Sequence, residues 1–314
     1  MAENIKDLVI LCLQSNGNQR LTARNIGEWI FKNHRAFCEE KRNRSKQDLS
    51  NDADLLEQII AEIGADRPAI ERRNRNVKTT ETRPRLYYYS TESDAAEVLE
   101  SEGVTRDPES QPVITSTGSS LEVDLYPKLA SYLHTQLNVF PKRIDEKKSL
   151  NKLGPNGNKW LYPDLVGMED FGAEWDPELR LCVKHYGDRR INLWSFEVKR
   201  LLNRSNVREA WFQAVSNSSW ANFGYLVAPE IATNCMKELR MLAAAHGIGV
   251  IRLNKADPSE SEILIPAKER PEVDWDSANR LIEENRDFRH FVELVKEFHQ
   301  TDKAKRSDWD IPSS

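Results

Sequence analysis

Two short apolar runs near the middle of the chain carry charge where burial would be costly. In Trp160-Leu161-Tyr162-Pro163-Asp164-Leu165-Val166-Gly167 the acid is Asp164. In Leu193-Trp194-Ser195-Phe196-Glu197-Val198-Lys199-Arg200 the charges are Glu197 and Lys199. An ion placed in such a run needs a compensating partner. Residues two apart on a strand face the same side, so Glu197 and Lys199 point together and Val198 turns into the core. Asp164, Glu197 and the backbone carbonyl of Val198 supply three oxygens. That is a donor set for Mg²⁺ (or Mn²⁺), which prefers oxygen ligands and keeps several waters. A cation held there would ligate a phosphate, lower the pKa of a bound water and stabilise the charge that develops. Those are the requirements of phosphodiester hydrolysis. Lys199 beside it would orient the attacking water or help deprotonate it.

Glu-x-Lys alone is weak, since a chain this rich in both residues contains one by chance about once. Its context carries the weight. It closes an apolar strand, the Asp follows Pro163 on an earlier apolar strand, and a helix capped by Ser205 or Asn206 comes next. The competing reading is a set of structural salt bridges at strand ends. Arg200 and Arg204 follow the motif and would touch either phosphate or water. Glu122 forms Ser119-x-x-Glu122, the spacing of a capping box. No Ser-His-Asp arrangement, phosphate-binding loop or dinucleotide fingerprint is present, and Gly154-Pro155-Asn156-Gly157 reads as a turn.

The elements that must position these residues form an α/β domain over 120–314, a mixed sheet flanked by helices. The pattern predicts a helix over 121–137, with a break at Pro127. Strands follow at 139–144, 160–168 and 191–198, with a further strand at 179–186 inside an insertion. Val207, Ala210, Trp211, Ala214 and Val215 mark a helix face, and Trp220 with Ser218 and Ser219 reads as packing at its end. Tyr225-Leu226-Val227 marks a strand. Cys235, Met236, Leu239 and Leu242 mark the next helix. Gly247 and Gly249 turn the chain into a strand at 250–253. One closing helix, started by Asp276 or Ser277, runs through Phe298.

Residues 1–90 read as a separate α+β unit of three helices and a β-hairpin, the plan of a winged helix, a helix-turn-helix variant. The helices are marked by Ile5, Leu8, Val9 and Cys12, then by a Thr22 cap with Ile26, Trp29 and Ile30. The third carries Leu55, Leu56, Ile59, Ile60 and Ile63, with Gly64 as its stop. The hairpin strands are expected at 69–73 and 86–89. This region holds Arg72, Arg73, Arg75, Lys78, Arg83 and Arg85, and a second basic cluster, Lys41, Arg42, Arg44 and Lys46, precedes the third helix. Phosphate contact is the use such clusters suggest, and solvated loops are the alternative. Residues 91–119 are acidic and rich in Ser, Thr, Pro and Gly, and read as a flexible linker.

The Pro-Asp…Glu-x-Lys layout resembles that of the PD-(D/E)xK nuclease superfamily, whose core is helix–three strands–helix–strand. The segments 122–129, 162–167, 196–199 and 213–222 resemble more narrowly HrgA-like bacterial proteins, which pair an N-terminal winged helix with such a nuclease domain. The resemblance covers nearly the whole chain. It implies Mg²⁺-dependent cleavage of double-stranded DNA in a restriction or phage-defence setting, with Asp164, Glu197 and Lys199 as the catalytic set. Glu122 then matches a first-helix carboxylate that some members add to the metal site. Gln213 matches a polar residue on the helix after Glu-x-Lys. Cutting both strands with one site per chain would ask for a homodimer, and a defence setting for a protein partner. The other readings are a DNA-binding regulator on an inactive nuclease fold and a winged helix that docks protein.

The bulk composition bounds these readings. The chain has 314 residues, 30% of them charged, and a formal net charge of -5, with a mean hydropathy of -0.66. That length allows two domains with buried cores. The net charge argues against wholesale coating of nucleic acid and leaves a local basic surface open. The four cysteines are far apart, and neither they nor the six histidines show metal-ligand spacing. With no signal-peptide pattern and no apolar run near the ~20 residues of a membrane span, a cytoplasmic protein without a membrane segment is expected.

Overall fold

The computed structural model describes residues 4–17, 19–45, 51–102, 104–105, 113–114, 122–149, 162–187 and 189–312. The chain divides into two compact units, Met1–Ala96 with Ile231–Thr233, and Glu97–Glu230 with Asn234–Ser314.

Among its described residues the first unit has helices α1 to α4 and a three-stranded sheet. Helix α1 (Ile5–Ser15) buries Ile5, Leu8, Val9, Cys12 and Leu13. Helix α2 (Ala23–Asn33) is started by Thr22, whose hydroxyl accepts the Asn25 N–H while the Asn25 side chain accepts the Thr22 N–H, a reciprocal cap. The basic stretch expected to be a loop is a further helix, α3 (Arg35–Arg44). It buries only Cys38 and is held by ion pairs of Arg35 and Arg42 with Glu39 and Asp52. Helix α4 (Asp52–Arg73) runs through Gly64 and Pro68, so the strand expected at 69–73 is helical. The reason is burial. Leu55, Ile59, Ile63 and Ile70 share one face, and packing Ile70 carries the helix past two weak formers. Strands β1 (Leu21–Thr22), β2 (Val77–Thr79) and β3 (Leu86–Tyr89) pair antiparallel in the order β1-β3-β2.

The expected linker contains structure: a helix, Asp94–Ser101, and two short antiparallel strands, Val104–Thr105 and Val113–Ile114. Ser119 of the capping-box reading lies outside the described residues, as do Lys46, Trp160 and the Gly154–Gly157 turn.

The second unit is built on a six-stranded mixed sheet flanked by helices. Its strands are β4 (Val139–Arg143), β5 (Leu165–Asp170), β6 (Ile191–Val198), β7 (Phe223–Ala228), β8 (Gly249–Arg252) and β9 (Glu262–Ile265), in the spatial order β9-β8-β7-β6-β5-β4. β4, β5 and β6 form an antiparallel meander, β6, β7 and β8 are parallel, and β9 is antiparallel to β8. The parallel strands are covered on both faces, which is why they read as continuous apolar runs. Helix α5 (Leu125–Leu137) packs Leu129 and Leu133 with Leu165, Trp194, Phe196 and Val198 on one face. On the other face Val166, Met168 and Leu193 cluster with Trp220, Phe288 and Phe291.

Several elements differ from expectation. Pro127 is the third residue of α5 and does not break it, because the first turn needs no amide donor there. The segment expected as a strand at 179–186 is helix α6 (Pro177–Tyr186), capped by Asp176, with Pro177 at its first position and Gly187 (φ 76°) at its end. Helices α7 (Val207–Asn217) and α8 (Met236–His246) follow as expected. The closing helix is two, α9 (Trp275–Glu284) and α10 (Arg286–Thr301). They are separated by Asn285, whose side chain accepts the N–H groups of Asp287 and Phe288. Asp310 lies along β4, its N–H donating to Pro141 and its carboxylate accepting from the Arg143 N–H, which covers a sheet edge. Among the described residues no helix is long and apolar enough to cross a membrane.

Candidate functional site

The β5–β6 register pairs Leu165 with Phe196, so Asp164, one residue ahead of β5, lies alongside the end of β6. Its N–H donates to the Phe196 carbonyl at 3.0 Å. Its Oδ2 accepts the Val198 N–H at 2.7 Å. Alternation along β6 turns Val198 into the α5-side core and leaves Glu197 and Lys199 on the α7 side. Lys199 Nζ donates to Glu197 Oε1 at 2.6 Å. The three residues expected to act together are thus gathered at one end of two adjacent strands.

Glu122 joins them through a residue that the sequence did not single out. The Tyr126 hydroxyl lies 3.0 Å from Glu122 Oε1 and 3.2 Å from Asp164 Oδ1. Having one proton, it donates to one of them at a time. Arg143 stacks on the Tyr126 ring at 3.7 Å and reaches Asp164 Oδ1 at 3.5 Å. On α7, Gln213 is half-buried, and Asn217, one turn later, reaches the site. Asn217 Nδ2 donates to Glu197 Oε2 at 2.7 Å. Its Oδ1 is buried without a partner. The signal for Asn217 was a poor helix former on the α7 face that Gln213 shares. The signal for Tyr126 was its i+4 spacing from Glu122. Arg143 had none. Arg200 is half-buried and Arg204 exposed.

Charge in this cluster is unbalanced toward acid. Glu197 is 2% exposed, and burial, followed by the neighbouring Asp164, pushes its carboxyl up to about 8. Glu122 is pushed up to about 7 by burial and then by Asp164. For Lys199 burial acts downward, but Glu197, Asp164 and Glu122 outweigh it and hold the amine above the ordinary lysine range. Lys199 is therefore a cation, and the site would gain from a further positive charge.

No group of three or more His, Cys, Asp or Glu side chains is gathered as a metal cage among the described residues. Mg²⁺ does not require one, because it is commonly held by one or two carboxylates with the remaining positions filled by water. Asp164 and Glu197 are hard oxygen donors, and each carboxylate offers about four lone-pair sites. Glu197 engages two of them, with Lys199 and Asn217. The donor chemistry fits such an ion.

In the first unit the basic residues are dispersed. Arg72 and Arg73 close α4, Arg75 is in the turn between α4 and β2, Lys78 is on β2, and Arg83 and Arg85 lie in the β2–β3 connection. Many hold acids: Arg73 with Asp7, Lys78 with Asp94, Arg85 with Glu81, Lys41 with Glu62, Arg42 with Glu39 and Asp52, and Arg44 with Glu40. Exposed pairs of this kind are weak and exchangeable, so they neither make nor forbid a phosphate-binding face. Arg72 and Arg75 are exposed and hold no carboxylate among the described residues.

No protein-family model, no curated protein and no solved structure matches the chain.

Proposed function

We propose that the chain is a Mg²⁺-dependent DNA endonuclease of the PD-(D/E)xK type, with the first unit acting as a winged helix that binds duplex. The observation that carries this reading is the joining of Asp164, Glu197 and Lys199 at adjacent strand ends, through the 2.7 Å contact of the Val198 N–H with Asp164 and the 2.6 Å contact of Lys199 with Glu197. The order α5, an antiparallel β4–β5–β6 meander, α7 and a parallel β7 supports it.

Asp164, Glu197 and the Val198 carbonyl would hold the ion, which when bound supplies an activated water and neutralises charge on the phosphate. The protein's own groups do the rest. Lys199, held protonated, donates to the attacking water or a phosphate oxygen and is not the base. Asn217 fixes the second oxygen of Glu197. Tyr126 and Arg143 hold Asp164 in place, and Tyr126 brings Glu122 to the same cluster. In the first unit, the β2–β3 pair after the helices, joined by β1 from between α1 and α2, supports the winged-helix reading.

A non-catalytic scaffold is the second reading. It is favoured by the fact that every oxygen of the Asp164 and Glu197 carboxylates already lies against a protein donor. A cleavage screen on modified and unmodified plasmids with Mg²⁺ or Mn²⁺ separates the two. Cleavage by the wild type that is lost in Glu197→Gln and Lys199→Ala supports the endonuclease. Metal-independent DNA binding with no cleavage of any substrate supports the scaffold.

A further inference from the structure

Charge in the first unit is divided along the chain. Helix α3 and residues 52–66 of α4 carry four bases, Arg35, Lys41, Arg42 and Arg44, against seven acids. From Arg67 through Arg85 the balance reverses, with seven bases against Glu71 and Glu81. The helical repeat sets the outward face of α4. Leu55, Ile59, Ile63 and Ile70 turn inward, which leaves Asp54, Glu57, Ala61, Gly64, Ala65 and Pro68 on the opposite side. All six are exposed, and a Cβ at Gly64 would meet nothing within 4 Å. This face offers two carboxylates, then side chains too short to reach a base edge. Its first base is Arg72, in the last turn.

A helix that reads the major groove sends side chains from its N-terminal turns to base edges, between two rows of phosphates. A carboxylate can accept from cytosine there, but cations must offset the negative charge that duplex carries every ~1.7 Å. The cations near this end of α4 are matched by its acids: Arg35 and Arg42 by Asp52, Arg24 by Glu57, and Lys41 by Glu62. Exchanging such pairs frees an acid with each base, so the net charge stays. The surplus cations sit elsewhere. Arg72, Arg73 and Arg75 lie where α4 enters β2, and Arg83 and Arg85 in the connection at the other end of that strand, which is about 10 Å long. Arg72, Arg73, Arg75 and Arg83 are exposed.

We infer that the first unit grips duplex by its phosphates, from the two ends of β2, with α4 held outside the major groove. The inference rests on the reading of this unit as duplex-binding. Phosphate contacts carry no sequence information. The ligand class is therefore duplex DNA of any sequence, including duplex whose major groove is filled by groups attached to the bases.

Fluorescence anisotropy of the full chain in chelator tests this. The probes are duplexes of unrelated sequence and one duplex whose cytosines carry glucosylated 5-hydroxymethyl groups, which project into the major groove. Arg75→Glu combined with Arg83→Glu should weaken binding roughly ten-fold or more, by the same factor on every duplex, the glucosylated one included. Ala61→Trp sets a bulky ring at the middle of the outward face of α4 and should leave affinity within about two-fold on all of them. Thermal melts check that the variants fold. A loss in Ala61→Trp comparable to that of the arginine variant overturns the inference and places α4 in the groove. An arginine effect confined to one sequence, or absent from the glucosylated duplex, also overturns it, as does an arginine variant that binds like wild type. A wild type that binds no duplex at all is a different failure: the DNA reading of the unit falls, and the inference with it.

Discussion

Asn217 Nδ2 lies 2.7 Å from Glu197 Oε2 and 2.7 Å from the Tyr162 carbonyl, so one buried amide ties α7 both to the carboxylate and to the segment leading into Asp164. Asn217→Ala removes both bonds at once and frees Glu197 to rotate about its contact with Lys199. Groups that orient metal-binding carboxylates typically govern about 10- to 100-fold in affinity or activity. Mn²⁺ titration should show a loss of that size, and cleavage should fall with it. Thermal melts should register a smaller effect, about 1–3 kcal/mol for the partners left unsatisfied. A variant that loses stability but keeps wild-type metal affinity would make Asn217 a packing residue only.

The acid excess at the site has a pH signature. Glu197 and Glu122 are raised from an ordinary 4.5 to about 8 and about 7. Between those values the folded chain holds more protons than the unfolded one. Their contribution to stability is therefore fully present below about 4.5 and is lost as pH rises through about 7 to 8. Melting temperatures in chelator should fall across that window, and less steeply in Glu197→Gln. A cation bound at the site displaces the retained protons, so Mg²⁺ affinity should rise over the same window. Calorimetry in buffers of different ionisation enthalpy should show proton release on binding. A flat profile with no proton release would mean the carboxylates are already ionised without metal.

Arg72 and Arg75 are exposed arginines of the first unit and hold no carboxylate among the described residues. If this surface lies on DNA, replacing both with Glu should weaken binding across all sequences and reduce the salt slope by about two phosphate contacts. Fluorescence anisotropy at several salt concentrations measures both. Unchanged affinity and slope would favour a protein-docking role for the unit.

Gly167 sits on β5, three residues after Asp164. A Cβ there would run into the Val139 side chain of β4 and meet the Phe196 ring at 3.6 Å. Gly167→Ala should cost about 1–3 kcal/mol through overpacking. Because β5 must shift to relieve it, metal affinity should fall as well, although the substitution touches no charged group. Chemical denaturation and Mn²⁺ titration on the same preparation check the pair of effects.

Local pattern was enough to mark the residues that alternate or recur. Glu197, Val198 and Lys199 alternate on a strand that ends at Val198, and Thr22 caps the helix it was expected to cap. The mixed sheet followed from apolar runs too continuous for a one-faced strand. Where the local signals were divided, tertiary packing decided. Burying Ile70 kept α4 helical past Gly64 and Pro68. Leu179 to Tyr186 reads as a strand in isolation, whereas the Asp176 and Gly187 caps close a helix there. The partners of the site were decided by tertiary structure too. Tyr126, Arg143 and Asn217 come from a helix, an edge strand and a second helix, and only the strand order brings them to Asp164 and Glu197. Sequence alone determined which charges lie in apolar strands, because alternation is a property of the backbone. Which donors meet those charges depends on long-range pairing, which no local window contains.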